Sequence, residues 1–364
     1  FLLIEFILRL SLPYHFIDNE DTIFSELTYK RKKPKITFKT YPSKFDNFKP
    51  IINEINSLGI RGLEILPKEK YRVLNIGDSY IEADEVSYNE TFGSKLNNAN
   101  LGIEFISHGI TSWSPTPEFA WIYRNYKRLL FDEVNLFLCV NDFYRMKYYK
   151  GGDEYYRSIA NFNKDNIPVS FNIDHSDSFK KSIKFFLKKS YIIKSINIFK
   201  NFMIPRIKEF FKNPEQIYLE IEKDVFELGQ NPEKWDNELK ENVLNTLNVL
   251  VDINTFLSKN NVKLNILLVP NIWYFKDEGL EFKKRSDQSN LILDNKTGIE
   301  LFLKNFLEKN KIKFIDLTDK FIEYKKTNSK LKLYYAWDGH WNVNGHNLTY
   351  EILTNYYENS SRFK

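Results

Sequence analysis

The sequence predicts an α/β protein, a three-layer α/β/α sandwich with a central, mainly parallel five-stranded sheet and a helical insertion. Five short apolar runs, each bounded by polar or turn residues, lie at 72–77 (RVLNIG), 103–109 (IEFISHG), 134–141 (VNLFLCVN), 263–270 (KLNILLVP) and 312–317 (IKFIDL). Several are apolar throughout, the pattern of strands covered on both faces. Between them lie segments with helical spacing, among them ETFGSKLNNA, ENVLNTLNVLVDINTFLSKN and GIELFLKNFLEKNK. Strands alternating with helices favour a parallel sheet wound by right-handed crossovers.

With 364 residues, 42% hydrophobic and 28% charged, the chain is long enough for a full core and has the composition of a folded, soluble body. One main domain with additions is expected. The formal charge of +5 comes with Lys and Glu interspersed along the chain, and no zinc-finger spacing, RNP-like run or long basic arm accompanies it. No nucleic-acid partner is therefore expected. The single cysteine, Cys139, excludes an intrachain disulfide and a Cys-rich metal site, and its apolar surroundings read as a small buried hydrophobe.

Two regions depart from the alternation. Residues 1–65 form an N-terminal arm with the basic TYKRKKPKITFKTYP and the glycine-containing NSLGIRG, ahead of a main domain at 66–360. The arm begins FLLIEFILRLSL, apolar but for Glu5 and Arg9 and too short to span a bilayer. It reads equally as the distal end of a signal anchor or as an amphipathic helix packed on the domain. The main domain is interrupted at about 145–235 by an insertion whose Lys/Phe-rich stretch has the spacing of one or two amphipathic helices. Such a stretch serves either as a solvated pair of helices or as a lid or partner surface.

The first run ends at Gly77-Asp78-Ser79. This puts Ser79 at the carboxyl end of a strand, the edge where open α/β sheets bind ligands, although a helix N-cap serine would read the same. A serine hydroxyl needs a base to take its proton. Of the five histidines, His340 lies in Trp337-Asp338-Gly339-His340-Trp341, after the last run and able to return to the same edge. Asp338 can orient its imidazole, or can cap the helix that begins near Asn344. Acyl transfer also needs donors for an oxyanion. Gly109 ends the second run and Asn141 the third; each also suits an ordinary turn or cap. Trp113, Trp273, Trp337 and Trp341 are candidates for stacking on a sugar and equally for packing.

Ser79, Gly109 and Asn141 close three successive strands, and Asp338/His340 follow the fifth. This ordered set resembles the SGNH (GDSL-type) hydrolase superfamily, with its flavodoxin-like fold. The resemblance implies Ser79 as nucleophile, His340 as general base and Asp338 as its orienting carboxylate. It implies an oxyanion hole of the Ser79 N–H, the Gly109 N–H and the Asn141 amide. Two features depart from the usual blocks: Cys139 stands where a glycine is usual before Asn141, and Asp338-Gly339-His340 is one residue tighter than Asp-x-x-His. The tighter form is similar to SGNH-like proteins of polysaccharide O-acetylation and to membrane-anchored bacterial relatives. The anchored group also carries an Asn-x-x-Gly-x-Arg-Gly segment, matched by Asn56–Gly62.

What the resemblance implies is an esterase acting on ester-linked acyl groups, acetyl above all, of a carbohydrate, with no cofactor or metal. The alternatives are an O-acetyltransferase on the same residues, a non-catalytic carbohydrate-binding or assembly protein, and a lipid-directed acylhydrolase using the insertion at a membrane. The resemblance also favours the anchor reading of Phe1–Leu12 and a cell-envelope, periplasmic or extracytoplasmic location.

Overall fold

The computed structural model describes residues 21–40, 50–143, 153–173, 227–279, 298–336 and 339–360. The expectations for Phe1–Leu12, the Lys/Phe-rich stretch, Trp337 and Asp338 fall outside these residues. Among the described residues no helix is long and apolar enough to cross a membrane.

Two antiparallel hairpins come first, β1 (Thr22–Ser25) with β2 (Tyr29–Lys32) and β3 (Thr37–Thr40) with β4 (Ile51–Glu54). Strand β5 (Tyr71–Gly77) runs into the short helix α1 (Ser79–Glu82), followed by α2 (Phe92–Asn98), β6 (Ile103–Gly109), α3 (Pro115–Leu129) and β7 (Glu133–Leu138). Then come α4 (Asp153–Ile159) and a hairpin of β8 (Ala160–Phe162) and β9 (Pro168–Phe171). The chain continues with α5 (Asn237–Lys259), β10 (Lys263–Leu268), α6 (Ile299–Lys309), β11 (Lys313–Asp316), α7 (Thr318–Thr327) and α8 (Val343–Glu358).

The five apolar runs form one sheet in the order β11-β10-β7-β5-β6, and every neighbouring pair is parallel. Strand alternation separates the two helical layers. On one face Phe137 meets Phe92 of α2, and Phe105 meets Tyr357 of α8. On the other, His108 packs on Trp121 of α3, whose Phe119 meets Phe256 of α5. The insertion is not helical throughout its described part. Asn163-Lys164-Asp165-Asn166 reverses the chain between β8 and β9, with the Asn163 side chain accepting from the amides of Asp165 and Ile167. This Asx turn gives the backbone a local alternative to helix.

The sheet interior is not purely apolar. Asn75 is in register with Ser107 and Asn135, and Asn135 with Asn265. Their side chains hydrogen-bond across the strands: Asn75 Nδ2 donates to Ser107 Oγ (3.1 Å), Asn135 Nδ2 to Asn75 Oδ1 (2.9 Å), and Asn265 Nδ2 to Asn135 Oδ1 (2.8 Å). Tyr357 joins the row from α8, within hydrogen-bonding distance of Asn135 and donating to Glu133. A buried row of this kind is stabilising only when complete. Asn135→Ala is expected to leave Asn75 and Asn265 short of a partner and to lower the unfolding free energy by about 2 kcal/mol, read from urea denaturation.

Candidate active site

In the sheet the strand order reverses between β5 and β7, which opens a crevice at their carboxyl ends. Ser79 follows β5 at the first position of α1, where a helix leaves its N–H without an internal partner. Asp78 caps that helix, its carboxylate accepting from the Tyr80 amide at 3.1 Å. The cap turns the chain so abruptly that Ser79, 8% exposed, stays at the crevice rather than in the core.

Gly109 ends β6 against this turn. A Cβ there would overlap the carbonyl oxygen of Asp78 and the amide nitrogen of Glu82, so only glycine admits the close approach. Asn141 arrives from the other side. β7 stops at Leu138, earlier than the apolar run implies, and the chain enters a 3-10 turn at Val140–Phe143. From that turn Asn141 Nδ2 donates to Asp78 Oδ2 at 3.3 Å. An amide nitrogen carries two protons, so one remains for a substrate oxygen. Cys139 donates its thiol to Asp78 Oδ1 at 3.3 Å. Burial pushes that thiol well above its ordinary pKa, which keeps it a donor.

His340 Nε2 lies 2.8 Å from Ser79 Oγ, a contact between residues 261 positions apart. The loop that brings it is tied down at several points. The Tyr335 amide donates to the His340 carbonyl at 2.9 Å, the Tyr80 hydroxyl donates to the Gly339 carbonyl at 3.0 Å, and the Tyr80 ring stands edge-on to the imidazole. His108 and His346 are fully buried, and desolvation pushes each down to about 3, so both stay neutral inside the core. Asn342, not Asp338, caps α8, accepting from the amides of Asn344 and Gly345. Asp338 itself lies outside the described residues.

Below Ser79 the core holds the carboxyl groups of Asp78, Glu118 and Asp142, all buried. Burial raises Asp78 above the usual carboxylate range, against the opposing effects of the Tyr80 amide, the charge of His340 and the Asn141 amide. Asp142 and Glu118 are pushed well above that range, by burial first and by neighbouring carboxylates second. Both Glu118 oxygens lack a hydrogen-bond partner among the described residues. Burial and mutual repulsion thus both work against negative charge on these acids.

Trp113 and Trp341 are not sugar platforms. They are 0% and 1% exposed, Trp113 edge-on to His108 and Trp341 stacked on Phe321, and a ring enclosed on both faces has none left for a sugar. Trp273 is buried as well. Asp21, Glu82 and Asp84 bring three carboxylates together, but the Lys32 ammonium lies among them and pairs with each, filling the space a cation would take.

The sequence reading missed two contributors to the site. Glu85 Oε1 faces His340 Nδ1 at 3.6 Å, and nothing in DEVSYNE marks a glutamate for that position. Arg61 donates to the carbonyls of Glu82, Ala83 and Val86, around the loop that carries Glu85. The only signal for Arg61 was the Asn56–Gly62 segment.

No family model and no curated protein matches the chain. Several solved structures are similar to it at a distance. A member of the lipolytic G-D-S-L family from Veillonella parvula is 12% identical, with 80% of this chain and 99% of that one covered and a TM-score of 0.39. For an acetyl xylan esterase, AlAXEase, the values are 12%, 78%, 98% and 0.40. For an acetylxylan esterase from Geobacillus stearothermophilus, in a catalytic mutant, they are 13%, 79%, 94% and 0.34.

Proposed function

We propose that this protein is a serine acylhydrolase of SGNH type, removing an ester-linked acyl group, acetyl above all, from a carbohydrate. The observation that carries this reading is the 2.8 Å contact of His340 Nε2 with Ser79 Oγ at the switch point of a parallel sheet. Ser79 Oγ attacks the ester carbonyl carbon and passes its proton to His340 Nε2. The oxyanion is met by the N–H groups of Ser79 and Gly109 and by the spare proton of the Asn141 amide. Collapse breaks the bond from the carbonyl carbon to the sugar oxygen, His340 gives its proton to that departing oxygen to release the sugar hydroxyl, and water resolves the acyl-enzyme by the reverse sequence. A second sugar hydroxyl in place of that water makes the same site a transferase.

A cleft of about 510 Å³ opens beside Glu82, Ile110 and Thr111, next to the site, and Ser79, Gly109, Asn141 and His340 do not line it. Burial removes Trp113, Trp273 and Trp341 as the stacking platforms that the non-catalytic alternative would use.

Incubation with a serine-reactive fluorophosphonate is expected to label the native chain at Ser79 alone, as mapped by peptide mass spectrometry. Absence of labelling in a folded preparation that also fails to hydrolyse aryl acetates would overturn the reading.

A further inference from the structure

The distal nitrogen of His340 faces a carboxylate from the segment that carries the serine. Glu85 follows Ser79 by six residues, and its Oε1 lies 3.6 Å from His340 Nδ1, the two side chains being 19% and 25% exposed. The loop between them is fixed from both sides. Ala83 ends α1 in the left-handed region (φ 51°), and Arg61 bonds the carbonyls of Glu82, Ala83 and Val86, flanking Glu85. The Tyr335 hydroxyl, from the loop that carries His340, donates to the Glu85 carbonyl at 2.9 Å.

Arg61 is delivered by a turn built for the purpose. Asn56 Oδ1 accepts from the amides of Leu58 (2.9 Å) and Ile60 (3.0 Å), while Asn56 Nδ2 donates to the Leu63 carbonyl (2.9 Å). Gly62 sits at φ +106°, where a Cβ would overlap the Tyr88 ring. The turn thus places the Arg61 side chain on the backbone that presents Glu85.

We propose that Glu85 is a positioning residue for His340, orienting the imidazole and stabilising its protonated form, and that the Asn56–Gly62 turn holds Glu85 there through Arg61. The inference rests on His340 being the base for Ser79. A carboxylate at this distance favours the imidazolium that forms when Ser79 gives up its proton. Among the described residues, His340 is also faced by Asp78 from the cap of α1, the Tyr80 ring, and His346 from α8, which burial holds neutral. Arg61 faces Glu85 itself and shares its field with Asp84 and Glu82. Asp338 precedes His340 by two residues, and substitution of Glu85 alone separates the two carboxylates.

The test is the pH profile of kcat/KM for 4-nitrophenyl acetate in the native chain, Glu85→Gln, Glu85→Asp and Ser79→Ala. Glu85→Gln is expected to lower kcat/KM about tenfold and to move the acid limb down by about one pH unit, because loss of the negative charge lowers the histidine pKa. Glu85→Asp should restore most of both. A merely structural role would lower the rate and leave the limb in place, and that result, or an unchanged rate, overturns the proposal. Native rates in folded Ser79→Ala would instead sink the reading on which it rests. Should Glu85→Gln fail to fold, Arg61→Lys, which loses the planar fork, is expected to shift the limb in the same direction, and a native profile there overturns the proposal.

Discussion

His340→Ala is expected to reduce kcat/KM for an aryl acetate by about 10⁴-fold while the melting temperature stays within a few degrees of the native value. The activity loss follows from the proton inventory of the site. Ser79 Oγ has His340 Nε2 at 2.8 Å, and the other described histidines, His108 and His346, are enclosed in the core. Neither can reach into the crevice without unpacking an aromatic cluster, in which His108 meets Trp113 and Trp121 and His346 meets Phe92 and Trp341. The small effect on stability follows from position. The His340 side chain is a quarter exposed, and its loop is held by backbone and tyrosine hydrogen bonds that alanine leaves intact. Initial-rate kinetics and a thermal melt on one preparation check both halves. A folded variant with native rates would remove His340 from the mechanism.

Gly109→Ala is expected to lower the unfolding free energy by about 4 kcal/mol and kcat/KM by at least about 10²-fold. The added carbon would overlap main-chain atoms of Asp78, Ile81 and Glu82, which cannot swing aside as a side chain can. Relief requires α1 to move away from β6. Ser79 moves with α1, and Asn141 loses its hold on Asp78, so stability and rate should fall together. Guanidinium unfolding alongside kinetics reads both. A stable, fully active variant would show that the contact of β6 with α1 does not set the position of the serine.

The sheet was legible because parallel strands buried on both faces leave long apolar runs, and because their carboxyl ends must share one edge. Three strand ends and one loop therefore converge on Ser79, Gly109, Asn141 and His340 once the order of elements is known. The hairpins of the arm were not legible. TIFS and YKRK are short and carry neither a long apolar run nor strict alternation. The asparagine row was hidden for a different reason: each strand shows one isolated Asn, and only register aligns them. Tryptophan misled because the same ring serves a sugar face or a core. Glu85 was out of reach because its placement depends on a left-handed Ala83 and on an arginine from a distant turn, which leave no local pattern.

The 261-residue separation of Ser79 and His340 also orders events in time. At ribosomal speeds, the histidine is added on the order of tens of seconds after the serine. β5, β6 and β7 can pair before then, and on the proposed mechanism the emerging chain carries Ser79 for that whole interval without His340. On that mechanism, reactivity is withheld until the loop between α7 and α8 docks on the finished sheet. A fluorophosphonate applied to stalled ribosome complexes would report completion of the fold rather than synthesis of the serine.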